Sequence, residues 1–219
     1  MKNDFPVVEI FDSIDGEGKQ TGYMAVFVRF AGCNLRCTYC DTPYALERAD
    51  AVEILTEEEL LARIHGYPWK RITFTGGEPL LQSLQSICDR LSDEGYDINI
   101  ETNGAVPLLE KRPAHLFYTM DYKCTGSGMK KFMRLSNFRE LSGQDVLKFV
   151  VGSETDLEDM REIVMNCFTG HPPRFYVSPV WGKIHPQELV GYVRKHGLGE
   201  VCVQVQLHKI IWDPDRRGV

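Results

Sequence analysis

The sequence predicts an α/β fold, an incomplete TIM-like βα barrel of about six parallel strands with its functional rim at the strands' C-terminal ends. Three observations carry that expectation. Short runs rich in β-branched and aromatic residues alternate with segments of helical apolar spacing, the pattern of parallel strands joined by right-handed crossovers. Polar, glycine-rich or cysteine-rich stretches follow the strand signals and so collect at one rim. The 219 residues fall short of the roughly 250 that a closed barrel of this kind usually takes, which predicts an open one.

The first strand signal is 24–30, Met-Ala-Val-Phe-Val-Arg-Phe, with a cysteine loop directly behind it. Thr56 and Glu59 form a capping box that opens a helix to about Ile64, and Gly66 stops it. Residues 71–75 read as the next strand. From 79 to 94, Leu80, Leu81, Leu84, Ile87, Cys88 and Leu91 recur at helical spacing, with Gly95 as the stop. Strands follow at 97–101, 116–120 and 146–151, the last two separated by an irregular stretch that holds Gly126-Ser127-Gly128 and a short helix. Thr155 and Glu158 make a second capping box before a helix reaching Phe168. A short strand at 174–177, a helix over 186–196 stopped by Gly197, and a strand at 201–207 close the chain.

A hydrophobic content of 43% is enough for a good core, and no linker or repeat divides the chain, so one domain over 1–219 is expected. The net charge of −6 argues against broad nucleic-acid binding, which needs a basic footprint. No window is apolar enough to span a bilayer. Met1-Lys2-Asn3-Asp4 carries no apolar signal segment, and seven cysteines is an odd number for a disulfide framework, so a cytoplasmic location is expected. Small molecules are the expected partners.

Cys33, Cys37 and Cys40 fall within eight residues. Thiolates at these gaps can curl onto one centre, as in iron–sulfur sites, and three of them leave one iron of a cubane open for chemistry. A structural zinc is the competing reading, but it needs a fourth ligand that the nearby sequence does not offer. Cys88, Cys124, Cys167 and Cys202 are scattered among apolar runs and read as small buried hydrophobes. Gly76-Gly77-Glu78, Thr102-Asn103-Gly104, residues 121–123, Ser178 and His208 each follow a strand signal and join the cysteines at the predicted rim.

Cys33-x3-Cys37-x2-Cys40 after the first strand, with Thr75-Gly76-Gly77-Glu78-Pro79 after the second, resembles the radical S-adenosylmethionine superfamily. The resemblance implies a four-iron, four-sulfur cluster on the three cysteines, with S-adenosylmethionine bound at the open iron and cleaved by one electron to a 5′-deoxyadenosyl radical. The glycines would let backbone approach the cofactor closely, and Glu78 would salt-bridge nearby. Tyr39 either packs on the adenine or fills the loop.

Ile14-Asp15-Gly16-Glu17-Gly18, the run 27–35, Cys40-Asp41-Thr42, Glu101-Thr102-Asn103-Gly104 and Leu207-His208-Lys209 are similar, more narrowly, to the 7-carboxy-7-deazaguanine synthase family. That implies a carbon–nitrogen lyase contracting 6-carboxy-5,6,7,8-tetrahydropterin to 7-carboxy-7-deazaguanine with release of ammonia, in queuosine and deazapurine biosynthesis. The substrate would lie against Ile14, Asp15, Gly16, Glu17, Gly18, Arg29, Thr75, His208 and the carboxylate of Val219, between extensions at 1–23 and 208–219. Glu17 and Arg29 would clamp the pterin, although Arg29 also reads as a structural ion pair. His208 would move a proton or simply fill the rim.

S-adenosylmethionine would touch Tyr39, Cys40, Asp41, Gly76, Gly77, Glu78, Thr102, Asn103, Asp121, Tyr122, Lys123, Ser127, Val177, Ser178, Pro179 and Val180. Thr42 would be a magnesium ligand beside the substrate carboxylate; its alternative is a turn cap. Asp15, where the family often has Gln, and Asp121-Tyr122-Lys123, where it has Ser-Pro-Lys, depart from the pattern. A flavodoxin or ferredoxin electron donor and a homodimer are implied as well. A glycyl-radical activating enzyme, acting on a protein glycine, is the alternative function.

Overall fold

The parallel strands expected from the sequence form one sheet in the computed structural model, which describes residues 4–168 and 170–219. Met1, Lys2 and Asn3, the start of the N-terminal extension, lie outside the described residues. The strands are β1 (Asp4–Ile14), β2 (Met24–Phe30), β3 (Glu53–Thr56), β4 (Arg71–Gly76), β5 (Asp97–Thr102), β6 (Leu116–Tyr122), β7 (Val146–Val151), β8 (Arg174–Pro179) and β9 (Val201–Val203). The sheet order is β3-β1-β2-β4-β5-β6-β7-β8-β9. Seven strands, β2 and β4 to β9, run parallel, in keeping with the expected number of about six. β1 and β3 are antiparallel additions that the sequence reading missed.

The helices are α1 (Glu57–His65), α2 (Gln85–Asp93), α3 (Glu154–Asn166), α4 (Pro186–Lys195) and α5 (His208–Ile211). The Thr56–Glu59 capping box opens α1 as expected. Three expectations need correcting. The helix expected from residue 79 starts only at Gln85, because Pro79–Leu81 turns as a separate 3-10 segment. The cap of α3 is Ser153, whose hydroxyl accepts the Asp156 N–H, rather than Thr155. The last strand ends at Val203; Gln204 N still donates to Val177 O at 2.9 Å, but its side chain turns to the 18–21 segment and the chain beyond it runs on to α5.

Strand alternation divides the sheet into two faces. Val28, Phe30, Ile72, Phe74, Ile98, Ile100, Tyr118, Met120, Leu147 and Phe149 are buried on one face, in a core shared with Leu60, Ile64, Ile87, Leu91, Leu157 and Met160 of the helices. The other face carries Arg29, Thr73, Thr75, Asn99, Glu101, Thr119, Asp121, Lys148 and Ser178 at the alternate positions. Parallel strands covered on both faces usually read as continuous apolar runs; here the second face instead forms the polar inside of the partial barrel, its chamber. A register shift between Val7 and Glu9 keeps Val7 opposite Phe30 in the core while bringing Glu9 opposite Arg29 on the chamber face.

Candidate active site

The cysteine loop leaves the end of β2 and is pinned at its root, where the amides of Gly32 and Cys33 donate to Ala45 and Leu46 carbonyls at 2.9 Å each. Its middle is held from across the rim. The Thr38 N–H donates to Ser127 O at 3.1 Å, and its hydroxyl to Gly126 O at 2.7 Å. The Tyr39 hydroxyl donates to Val150 O at 3.1 Å, so loop packing is part of its role. Cys33, Cys37 and Cys40 are half-buried free thiols. Cys33 Sγ accepts from Leu35 N at 3.4 Å and lies 3.7 Å from Asn103 Nδ2.

Burial pushes the Cys33 and Cys37 thiols up, and a bound cation is what would deprotonate them outright. Among the described residues, the one trio of ligand atoms all within 4.8 Å of one another is Cys124, Asp156 and Asp159, so the three loop sulfurs spread wider than that. Two thiolates on one zinc ion stand about 3.8 Å apart, from Zn–S bonds of about 2.3 Å in a tetrahedron. The wider spread fits a multi-iron cluster better than one zinc ion. Of the remaining cysteines, Cys88 and Cys124 are buried as expected. Cys167 and Cys202 are exposed, a correction that follows from their places just past α3 and on the edge strand β9.

The Gly-Gly pair also lets two backbone segments meet inside the protein. A Cβ on Gly76, whose φ is +129°, would come within 2.2 Å of Phe30 O, and one on Gly77 within 2.2 Å of Gly32 O. The amides of Gly77 and Glu78 donate to those same two carbonyls, at 3.0 and 2.8 Å, so they are used inside the protein and not offered to a ligand. Glu78 is not in a salt bridge among the described residues. Its buried carboxylate accepts from Leu80 N, Asn103 N and the Thr102 hydroxyl at 2.7–3.1 Å, and burial pushes it up to about 7. Thr102 is therefore spent on Glu78, while the Asn103 amide side chain reaches Cys33.

Other expected cofactor contacts divide similarly. The Tyr122 ring packs between Phe138 and Phe149 in the core, and the fully buried Val177 belongs to the same core, so neither side chain faces the chamber. The buried Ser127 hydroxyl donates to Cys124 O at 2.6 Å; its part is to shape the loop that holds Thr38. Pro179 ends β8, and Val180 is tied by its amide to Val151 O at 2.7 Å. Asp41 and Thr42 lie together on the exposed side, the Thr42 hydroxyl donating to Asp41 Oδ1 at 3.1 Å and making no turn-cap bond. Lys209 approaches the other Asp41 oxygen at 3.4 Å.

Charge is concentrated in the chamber. Lys148 Nζ is 2.7 Å from Glu17 Oε2 and 3.6 Å from Asp121 Oδ1, and Lys123 pairs with Asp121 at 3.0 Å. Burial disfavours the Lys148 ammonium, but Asp121, Glu17 and Glu101 more than offset this and raise it well above the usual lysine range. Asp15 is 1% exposed; burial, then the neighbouring Glu101, pushes it up to about 8. Its oxygens meet Glu17 N at 3.4 Å and the Thr73 hydroxyl at 3.5 Å. Burial also raises Glu101, against the pull of Lys148. Glu17 Oε1, Thr119 Oγ1 and Ser178 Oγ are buried without a hydrogen-bond partner, atoms that a polar ligand would satisfy.

The 14–18 stretch and the C-terminal segment meet over this chamber. Leu207 N donates to Gly16 O at 3.0 Å, and the His208 ring packs so closely that a Cβ on Gly16 would stand 2.0 Å from its Nδ1. Burial holds the His208 imidazole below its usual range. Gln204 grips the Gly18 amide and carbonyl at 2.7 and 3.1 Å. Arg29 Nε donates to Glu9 at 2.6 Å, the ion-pair reading of that residue. Tyr44 OH also reaches Glu9, at 3.3 Å, and the Arg217 guanidinium lies 3.6 Å from the Tyr44 ring centre, which brings the chain end to this corner. Ile14 ends β1, and Thr75 lies one strand from Arg29 in register.

Sequence reasoning missed Glu9, Tyr44, Glu101, Lys148 and Gln204 as parts of this site. A lysine inside Val-Leu-Lys-Phe-Val-Val was a legible signal, because a buried cation needs partners.

Residues 27–117 match the family described as the Radical SAM superfamily. The chain is 44% identical over 220 residues to the 7-carboxy-7-deazaguanine synthase of Clostridium acetobutylicum, covering 98% of this chain and 99% of the relative. It is 35% identical to the protein of that name from Methanospirillum hungatei, covering 95% of this chain and 86% of the relative. Among solved structures, the crystal structure of QueE from Escherichia coli superimposes with a TM-score of 0.77 over 94% of this chain and 95% of that one. At 23% identity that likeness speaks for the fold, a partial βα barrel.

Proposed function

Since the chain belongs to the 7-carboxy-7-deazaguanine synthase family of radical S-adenosylmethionine enzymes, we propose that it contracts 6-carboxy-5,6,7,8-tetrahydropterin to 7-carboxy-7-deazaguanine with loss of ammonia. The observation that carries the reading is the meeting of two features at one rim. The three-thiol loop stands at the end of β2, and the polar face of the sheet, with its unpartnered buried oxygens on Glu17, Thr119 and Ser178, reaches it through Lys123 and Asp121, whose charges act on Cys37. A four-iron cluster on Cys33, Cys37 and Cys40 would supply the electron that cleaves S-adenosylmethionine to the 5′-deoxyadenosyl radical.

The chain's own residues bind, orient and handle protons. Asn103 and the Leu35 amide give Cys33 hydrogen bonds, one of the means by which cluster potential is tuned. Glu17 offers its free oxygen to a donor edge of the pterin while Lys148 holds the other. Arg29, anchored through Nε by Glu9, keeps the remaining guanidinium N–H groups for a substrate acceptor. Asp15, protonated near neutrality, donates a hydrogen bond where a carboxylate would only accept. His208, held neutral by burial, is available as a proton acceptor above Gly16. The Thr42 hydroxyl and Asp41 carboxylate are hard oxygen donors of the type magnesium prefers, with substrate carboxylate and water completing the shell. The Val219 carboxylate closes the substrate side. We further infer a flavodoxin- or ferredoxin-type donor, a homodimer, and a single domain with its two extensions against the substrate.

The test is anaerobic reconstitution with iron and sulfide, followed by incubation with S-adenosylmethionine, a reductant and the carboxylated pterin, with magnesium or with a chelator. Formation of the deazaguanine acid, faster with magnesium, supports the reading. Cofactor cleavage that needs a partner protein and leaves the pterin untouched would favour the glycyl-radical activating alternative.

A further inference from the structure

Helix α3 places a buried carboxylate behind the cysteine loop. Asp156 is 1% exposed. Its Oδ1 accepts the Gly126 N–H at 2.6 Å, and its Oδ2 the Gly152 N–H at 2.9 Å. Both backbone segments lead onward to the loop. The Gly126 carbonyl accepts the Thr38 hydroxyl at 2.7 Å, and the adjacent Ser127 carbonyl the Thr38 N–H at 3.1 Å. Two residues before Gly152, the Val150 carbonyl accepts the Tyr39 hydroxyl at 3.1 Å. Thr38 and Tyr39 are the two residues between Cys37 and Cys40.

Cys124, Asp156 and Asp159 together have the outline of a cation site, with ligand atoms within 4.8 Å of one another. Their oxygens are already engaged. Both Asp156 oxygens hold amides, and Asp159 takes Thr125 N at 2.7 Å and Lys130 Nζ at 2.6 Å. A cation would have to displace these donors, so the arrangement is a clamp on the 124–128 turn. The clamp also needs glycine at 126, where a Cβ would stand 2.5 Å from Asp156 Oδ2.

We propose that Asp156 is a positioning residue for the Cys37–Cys40 segment, one carboxylate fixing the spacing of the two backbones that hold Thr38 and Tyr39. The proposal rests on the reading of Cys33, Cys37 and Cys40 as cluster ligands. Carboxylate-to-amide bonds are charge-assisted and stronger than neutral ones. Asparagine keeps the shape but turns an NH2 toward one of the two N–H groups, which breaks one tie.

The experiment compares wild type, Asp156→Asn and Asp156→Glu, with Thr56→Ala in α1 as a control that lowers stability away from the loop. Amide exchange of the cluster-free chain is followed by mass spectrometry, and the reconstituted proteins are examined by electron paramagnetic resonance with and without S-adenosylmethionine. In Asp156→Asn, exchange across 36–40 should quicken on the order of tenfold, as expected for losing about one hydrogen bond. The cofactor-induced change in the cluster signal should weaken, and KM for S-adenosylmethionine should rise on the order of tenfold, since displacements of about 1 Å can cost a hundredfold.

Asp156→Glu should show the same changes, because its carboxylate reaches too far for both amides. If Asp156→Asn merely melts earlier, as Thr56→Ala does, with unchanged loop exchange and an unchanged cluster signal, the proposal falls. Should Asp156→Asn fail to fold, Thr38→Val and Tyr39→Phe cut the ties from the other end, and unaltered exchange and spectra in both would equally overturn it. Wild-type protein that takes up no iron would sink the cluster reading instead, while the exchange arm would still decide the tie.

Discussion

Lys148 and Glu17, 2.7 Å apart and 7% and 11% exposed, form the pair on which the chamber's electrostatics turn. Glu17, Asp121, Glu101 and Asp15 crowd around that cation. Removing one partner of a buried pair leaves the other charge uncompensated, at a cost of about 3–5 kcal/mol. Lys148→Met is therefore expected to lose stability on that scale in urea unfolding; a loss under about 1 kcal/mol would mean that water reaches Glu17 freely. Asp15 makes a pH prediction. Its folded-state pKa, about 8, lies above the ordinary 3.8, so between those values the folded chain binds more protons than the unfolded one. The stabilisation from that proton is complete below the ordinary value and is lost as pH rises through the folded one. Glu101 acts in the same direction. The melting temperature of the cluster-free chain should fall from about pH 5 to about pH 8, and Asp15→Asn should flatten the slope. His208, held below its usual range, opposes this slope, so the test is the difference between the two proteins: an Asp15→Asn slope as steep as the wild type's would contradict the buried, protonated carboxyl.

At the scale of elements, caps and glycines hold the rim in place. The Ser153 hydroxyl accepts the Asp156 amide at 3.3 Å and opens α3, so Ser153→Ala should cost about 0.5–2 kcal/mol in denaturant unfolding. Thr155→Ala should cost clearly less, because Thr155 stands inside the first turn and not at the cap. Equal losses at the two positions would restore the cap to the place read from the sequence. Gly76 tolerates much less. With φ at +129° and Phe30 O only 2.2 Å from a would-be Cβ, Gly76→Ala combines backbone strain with a clash against backbone, and a loss above about 3 kcal/mol is expected. Soluble expression and melting temperature report it, and a near-native melt would show that β4 can shift away from β2.

Across the whole molecule, an open sheet has its two ends joined by the C-terminal segment. After β9 at one edge, Leu207 bonds Gly16, Lys209 meets Asp41, and Arg217 covers Tyr44 near the β1–β2 end of the sheet. These contacts are polar and partly exposed, so they add little to the core. Deleting residues 212–219 is predicted to leave the melting temperature within a few degrees, on the order of 1 kcal/mol. It should nevertheless raise KM for the pterin on the order of tenfold, the size expected for a lost charged contact, while cofactor cleavage without substrate continues. A collapse of the fold on this deletion would make the segment structural. No helix among the described residues is long and apolar enough to cross a membrane.

What the sequence determined by itself was local or strictly periodic. The strand runs, the α1 capping box and the 33–40 cysteine spacing could be read directly, because strand period, cap chemistry and loop reach depend on residues a few positions apart. The parallel fold followed from their alternation, and the two short motifs identified the family. The antiparallel β1 and β3 escaped because an edge addition to a sheet has no crossover helix to announce it. The chamber's ion pairs were decided only by tertiary structure. Lys148 and Glu17 are 131 positions apart, and it is the β6–β7 register that stands Lys148 beside Asp121. The same holds for Tyr122 and Val177, where the motif fixed the position but the pleat decided which face each side chain takes, and for Glu78, which caps the 79–81 turn and is buried there against Thr102 and Asn103. A one-residue change of register would exchange the faces, and the burial that shifts Asp15 and His208 comes from contacts across the sheet that no local stretch contains.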